Sequence, residues 1–116
     1  MKNLEELKLK IAEFAIARDW DQFHSPKNLT MALSVEVAEL VEHFQWLTSD
    51  ETEKLSDEKR EAVADEIADI QIYLIRLADK LNVDILDSVD RKLLKNEVKY
   101  PIDKVRGSAK KYSDYE

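Results

Sequence analysis

The chain has 116 residues, a formal net charge of −7 and a pI near 4.9; 37% of its residues are charged and 44% are hydrophobic. That length suffices for one domain with a modest core, and the mixture is typical of a folded, soluble protein rather than a disordered one. The absence of cysteine excludes disulfides, cysteine-ligated zinc and thiol catalysis, and the acidic balance disfavours a long nucleic acid as partner.

Apolar periodicity predicts four helices, at about residues 4–18, 29–47, 57–81 and 85–99, followed by an extended tail at 101–116. Asn28 is the expected N-cap of the second helix, and Ser56 or Asp57 that of the third. The polar stretch TSDETEKLS is expected to be a surface connection. Four helices with short connections predict a single all-α domain over residues 1–116, built as a four-helix bundle.

No apolar run is long enough to cross a bilayer, and the N-terminal MKNLEELKLK lacks the apolar core of a signal peptide. We therefore expect a cytoplasmic protein that does not associate with membranes.

Two acidic pairs occupy equivalent positions on the second and third helices: Glu36 and Glu39 in SVEVAELVEHFQW, and Glu66 and Asp69 in DEIADIQIYL. Each pair borders an apolar stripe of identical spacing. The stripes are Leu33, Val37, Leu40, Phe44 and Leu47 in one helix, and Val63, Ile67, Ile70, Leu74 and Leu77 in the other. If the two stripes pack together, the acidic edges can face each other and place four carboxylates in one small volume.

Carboxylates gathered in this way repel one another, and a divalent cation removes that cost. A ligand set of oxygen atoms suits Mg²⁺ or Mn²⁺. A di-iron site would require E-x-x-H pairs, but Glu42 follows Glu39 and Asp69 follows Glu66 at that spacing. The competing interpretation is that each pair is solvated surface, because a chain with 25 acidic residues forms E-x-x-E by chance.

Aromatic residues and a histidine lie near the acidic pairs or in the loop WDQFH: Trp20, His24, Trp46 and Tyr73. Flat aromatic walls beside a metal-bound phosphate favour a nucleotide as ligand. Ordinary core packing is the alternative, and it is the preferred interpretation for Phe14, Phe23 and Phe44. His24 is expected either to contact a base or to tie down its loop, and His43 either borders the acidic edge or is exposed. The sequence contains neither a Walker-type loop nor a G-x-G-x-x-G motif.

SVEVAEL followed by DEIADI resembles the paired E-x-x-E and E-x-x-D motifs of the MazG-type, all-α nucleoside triphosphate pyrophosphohydrolases. The stretches RDWDQFHSPKNL, EHFQW, IYL, YP and RGSAKKYSD resemble the dCTP pyrophosphatase branch, so the resemblance spans nearly the whole chain. It implies a homodimer or a dimer of dimers. His43 is a departure, because the resemblance implies an apolar residue there.

The resemblance also implies a role for each matching residue. Glu36, Glu39, Glu66 and Asp69 would bind Mg²⁺, with Glu39 as the expected catalytic base. Trp20, His24, Trp46 and Tyr73 would surround the base with Asn28 nearby, and Lys92, Asn96, Lys99 and Tyr100 would lie near the phosphates.

The expected reaction converts a dNTP into dNMP and pyrophosphate, a form of nucleotide-pool housekeeping. dCTP is favoured, and dATP, dUTP or modified nucleotides are alternatives. The rival hypothesis is a non-enzymatic acidic helical homodimer that acts as an interaction module.

Overall fold

The computed structural model describes residues 3–109 and, within them, contains helices and no strands. The helices are α1 (Leu4–Ala17), α2 (Pro26–Glu42), α3 (Ser49–Thr52), α4 (Asp57–Lys80), α5 (Ile85–Lys99) and α6 (Ile102–Val105), with a 3₁₀ turn at Asp21–Phe23. The predicted all-α class is confirmed. The chain divides into two units after Asn82, and α5 and α6 belong to the second. The single domain and the four-helix bundle stay predictions.

Helix α2 begins three residues before its predicted start. Ser25 is its N-cap, because the Ser25 hydroxyl accepts a hydrogen bond from the Asn28 backbone N–H at 3.1 Å and Pro26 occupies the first helical position. The prediction that Asn28 is the N-cap of this helix is therefore wrong. The Asn28 side chain instead donates from Nδ2 to the Phe23 carbonyl oxygen at 3.0 Å, which ties the preceding loop to α2.

Helix α2 also ends at Glu42 rather than near residue 47, and the polar connection that follows contains the one-turn helix α3. A capping box starts α3: the Thr48 hydroxyl accepts from the Glu51 N–H at 3.2 Å, and the Glu51 carboxylate accepts from the Thr48 N–H at 2.9 Å. These two hydrogen bonds satisfy backbone N–H groups at the start of α3 and so stabilise a helical turn within the predicted surface connection.

The ends of α1 and α4 lie close to their predicted positions. Ser56 is the N-cap of α4, and its hydroxyl accepts from the Lys59 N–H at 3.1 Å. In the tail, residues 102–105 form α6 rather than extended chain, and the predicted extension at 110–116 lies outside the described residues.

The first unit is organised around α4, which packs chiefly on α2 and also on α1. Of the five buried apolar residues within residues 3–109, α4 contributes three: Val63, Ile75 and Ala78. Phe44 is half-buried, but Phe14 and Phe23 are exposed, so the preferred interpretation of those two as core residues is wrong for this chain. Within the same range, no helix has the combination of length and apolar character needed to span a bilayer.

Candidate metal centre

Three of the four predicted metal ligands meet where α2 packs on α4. One carboxylate oxygen from each of Glu36, Glu39 and Glu66 lies within 4.8 Å of the other two. Glu36 and Glu39 are one turn apart on α2, and Glu66 lies on α4. The packing of the two helices thus gives the facing acidic edges on which the metal hypothesis depends.

Asp69 lies one helical turn beyond Glu66 on α4 and is half-buried. It is not a member of the close group of three within the described part of the chain. Its negative charge nevertheless acts on that group, because it raises the pKa of both Glu36 and Glu66.

The electrostatics of the group favour protonation when no cation is bound. Burial is the largest cause that raises the pKa of Glu36 to about 7, followed by a side-chain hydrogen bond with Glu39 and by the charges of Glu39, Asp69 and Glu66. Burial is also the largest cause that raises the pKa of Glu66, and the positive charge of protonated His43 opposes it.

Two oxygen atoms of the group have no hydrogen-bond partner in the described part of the chain. Glu36 Oε2 and Glu66 Oε2 are buried, and no residue in the range 3–109 donates to either of them. His43 Nε2 lies 3.8 Å from Glu66 Oε1, which is too long for a hydrogen bond. Buried carboxylate oxygens without donors are costly, and a bound cation would satisfy both. The oxygen-rich set therefore fits Mg²⁺ or Mn²⁺.

In EDTA, Glu36→Gln is expected to be more stable than the wild type by an amount that grows as pH rises from about 4.5 to about 7. The folded wild type keeps the Glu36 proton at pH values where the unfolded chain has lost it. This contribution to stability is therefore complete below the unfolded pKa and is lost as pH rises through the folded pKa. Glutamine does not ionise, so the variant avoids that loss.

Urea unfolding of both proteins across this pH range measures the effect. Subtraction of the wild-type curve cancels the opposite contribution of His24, whose pKa is lowered by burial. Glu61→Gln makes the same change at an exposed position of α4 and serves as the control. A stability difference that does not vary with pH would contradict the prediction.

The predicted base-pocket aromatic residues lie in different surroundings. Trp20 follows α1 and packs edge-to-face on Phe14, with ring centroids 5.8 Å apart and an interplanar angle of 69°. Trp46, beyond the end of α2, is 85% exposed, whereas Tyr73 is half-buried on α4. The base-binding role of these residues stays a prediction.

His24 is tied to α4 by Arg76, a residue that the sequence analysis did not identify. Arg76 Nε donates to His24 Nδ1 at 3.2 Å, and the same guanidinium contacts Asp21 and Asp79. Lys80 Nζ also lies 2.5 Å from Asp21 Oδ1. Of the two interpretations of His24, the structure therefore shows the one in which this residue ties its loop down, here to helix α4. A lone arginine within the apolar stretch IYLIRLA was the available signal.

The four residues predicted near the phosphates belong to the second unit. Lys92, Asn96 and Lys99 lie on α5, and Tyr100 is its C-cap, whose N–H donates to the Asn96 carbonyl oxygen at 2.8 Å. Spacings of four and three residues place the first three on one face of α5. Their role as phosphate ligands stays a prediction.

The family model described as MazG-like matches residues 31–115, which include both acidic pairs. The chain belongs to the MazG-like family. Over 113 residues it is 45% identical to dCTP pyrophosphatase 1 of Bos taurus and 42% identical to that of Homo sapiens. Each alignment covers 96% of this chain, and the chain spans about two thirds of the length of these curated relatives.

A crystal structure of a pyrophosphatase from Archaeoglobus fulgidus has the same fold. Its TM-score is 0.80 at 45% identity, and the match covers 84% of this chain and 91% of that one. The resemblance drawn from the motifs is confirmed. The expectation that the protein is an enzyme of the nucleotide pyrophosphohydrolase class is also confirmed at the level of the family.

Proposed function

We propose that this MazG-like protein is a divalent-metal-dependent pyrophosphohydrolase that converts a dNTP, with dCTP favoured, into dNMP and pyrophosphate. The observation that carries the proposal is the group of Glu36, Glu39 and Glu66, with buried oxygens on two of its members that lack a partner within residues 3–109. The names of the mammalian relatives, dCTP pyrophosphatase 1, support the choice of substrate class.

Within this proposal, Glu36, Glu39, Glu66 and Asp69 hold Mg²⁺, with Mn²⁺ as an alternative. When bound, the cation neutralises triphosphate charge and lowers the pKa of water. Glu39 is the member of the close group without a buried, unpartnered oxygen in the described part of the chain. It is therefore assigned as the base that accepts a proton from the attacking water at a carboxylate oxygen.

The remaining assignments follow family membership. Trp20, His24, Asn28, Trp46 and Tyr73 are proposed to surround the base, whereas Lys92, Asn96, Lys99 and Tyr100 are proposed to bind the phosphates. We also propose assembly as a homodimer or a dimer of dimers, and a role in cytoplasmic nucleotide-pool housekeeping.

The test is the release of pyrophosphate from each of the four dNTPs in Mg²⁺, in Mn²⁺ and in EDTA. We expect release in either metal, none in EDTA, and the fastest rate with dCTP. Chromatography distinguishes dNMP from dNDP and so locates the bond that breaks. If a protein that is folded by circular dichroism releases nothing from any nucleotide, the rival hypothesis of a non-enzymatic interaction module takes its place.

A further inference from the structure

Arg76 is the only charged side chain that is buried within residues 3–109, with 5% of its surface exposed. A buried charge must be paired and hydrogen-bonded to be tolerated. Its partners are Asp79 on its own helix, and Asp21 and His24 from the loop before α2. Two of the three partners therefore come from the loop, and Arg76 anchors that loop to α4.

The contact with Arg76 determines where His24 carries its proton. Arginine is always protonated in proteins, so Arg76 Nε–H is the donor and His24 Nδ1 must accept through its lone pair, at 3.2 Å. The neutral imidazole then carries its hydrogen on Nε2. A second proton on His24 Nδ1 would place its N–H against the N–H of Arg76 Nε, and the hydrogen bond between them would be lost.

The charged groups that face His24 also oppose protonation. Burial lowers the pKa of His24 most, the positive charges of Arg76 and Lys80 lower it further, and among residues 3–109 the negative charge of Asp21 alone raises it. His24 is therefore neutral and offers its single N–H donor at Nε2.

Arg76 continues the face of α4 that carries the acidic residues. The successive spacings from Glu66 to Asp69, Tyr73 and Arg76 are three, four and three residues, which keep all four on one side of a helix. The seven residues from Asp69 to Arg76 correspond to about 10 Å along the axis. The imidazole is thus held at one end of a row that has carboxylates at the other. Under the proposed function, with the phosphates at the carboxylates, a nucleotide that extends along this row brings its base to the imidazole.

We propose that Arg76 is a positioning residue that locks His24 as the Nε2–H tautomer, so that His24 presents one uncharged donor to an acceptor on the base edge. O2 or N3 of cytosine is such an acceptor. The contact with the base rests on the proposed function, whereas the tautomer does not.

The tautomer is tested first, on the whole protein without nucleotide, by ¹⁵N NMR of labelled histidine. The chain has two histidines, so His43→Gln leaves a single imidazole to observe. We expect an unprotonated Nδ1 and a protonated Nε2 across neutral pH. A proton on Nδ1, or a mixture of tautomers, would overturn the proposal whether or not any variant folds.

Arg76→Met then removes the donor, and we expect tautomer exchange at His24. Asp79→Asn is the matched control, because Asp79 contacts the same guanidinium but is not one of the charged groups that shift the pKa of His24. We expect the control to keep the wild-type tautomer.

The second readout is kinetic. We expect Arg76→Met to raise KM for dCTP by up to about tenfold, with little change in kcat, because the released imidazole no longer holds its Nε2–H toward the base and at most one neutral hydrogen bond is lost. Arg76→Lys keeps the buried positive charge but lacks the planar fork, and we expect it to fold without keeping the wild-type tautomer. A lost tautomer with unchanged KM would overturn the contact with the base and leave the proposed function intact. If the wild type hydrolyses no dNTP, the proposed function fails and the contact with the base falls with it.

Discussion

Glu66→Gln is expected to lower the rate of pyrophosphate release from dCTP on the order of a hundredfold or more. Glu66 lies on α4 opposite the two glutamates of α2, and its Oε2 is buried without a partner among the described residues. Glutamine keeps the size of the side chain but removes the negative charge that a divalent cation requires. The loss of metal binding removes stabilisation of the transition state worth several kcal/mol, and each ~1.4 kcal/mol is tenfold in rate.

Initial rates at saturating Mg²⁺ measure this effect, and Glu61→Gln, the same change at an exposed position of α4, is the control. Thermal unfolding with and without Mn²⁺ is a second readout, because a ligand that binds only the folded state raises its stability. We expect Mn²⁺ to stabilise the wild type and the control but not the variant. Wild-type turnover by Glu66→Gln would exclude this residue as a metal ligand.

The companion variant Glu39→Gln separates a base from a ligand. If Glu39 acts mainly as the base, the variant loses turnover while it retains much of the stabilisation by Mn²⁺, which the other carboxylates of the group supply. If both readouts fall together, metal binding by Glu39 accounts for the lost turnover, and the assignment of Glu39 as the base has no support.

Leu29→Ala is expected to lower the free energy of unfolding by about 2–5 kcal/mol, the range for truncation of a buried leucine. Leu29 is 1% exposed and is the largest fully buried side chain among the described residues. It lies on α2, the helix that carries Glu36 and Glu39, so a cavity there also loosens the support of the carboxylate group. An effect of this size is a large part of the total stability of a domain.

Urea denaturation measures the change, with Leu9→Ala as the matched control, because Leu9 is 56% exposed. We expect the control to lie within about 0.5 kcal/mol of the wild type, as is usual for surface substitutions. Equal losses in the two variants would mean that Leu9 is also buried in solution, which would support a subunit interface over α1.

The long helices α1, α4 and α5 were predictable because apolar periodicity is a property of neighbouring residues. The limits of α2 were not predictable from periodicity, because helix ends depend on capping residues. Ser25 caps the helix with Pro26 at its first position, although Asn28 is also a residue type that favours the N-cap. The one-turn helices α3 and α6 are too short to show periodicity. A capping box and a proline mark their starts, signals that the sequence contains but that are weak on their own.

The sequence by itself determined the all-α class, the two acidic pairs and the family, because these depend on residue types at short, regular spacings. Only the tertiary structure decided which carboxylates meet, that Glu36 holds its proton to a pKa of about 7, and that Arg76 fixes the ring of His24. The last contact joins residues 52 positions apart. Burial and long-range hydrogen bonds arise only when helices pack together, so the spacing of residues along the sequence does not predict them.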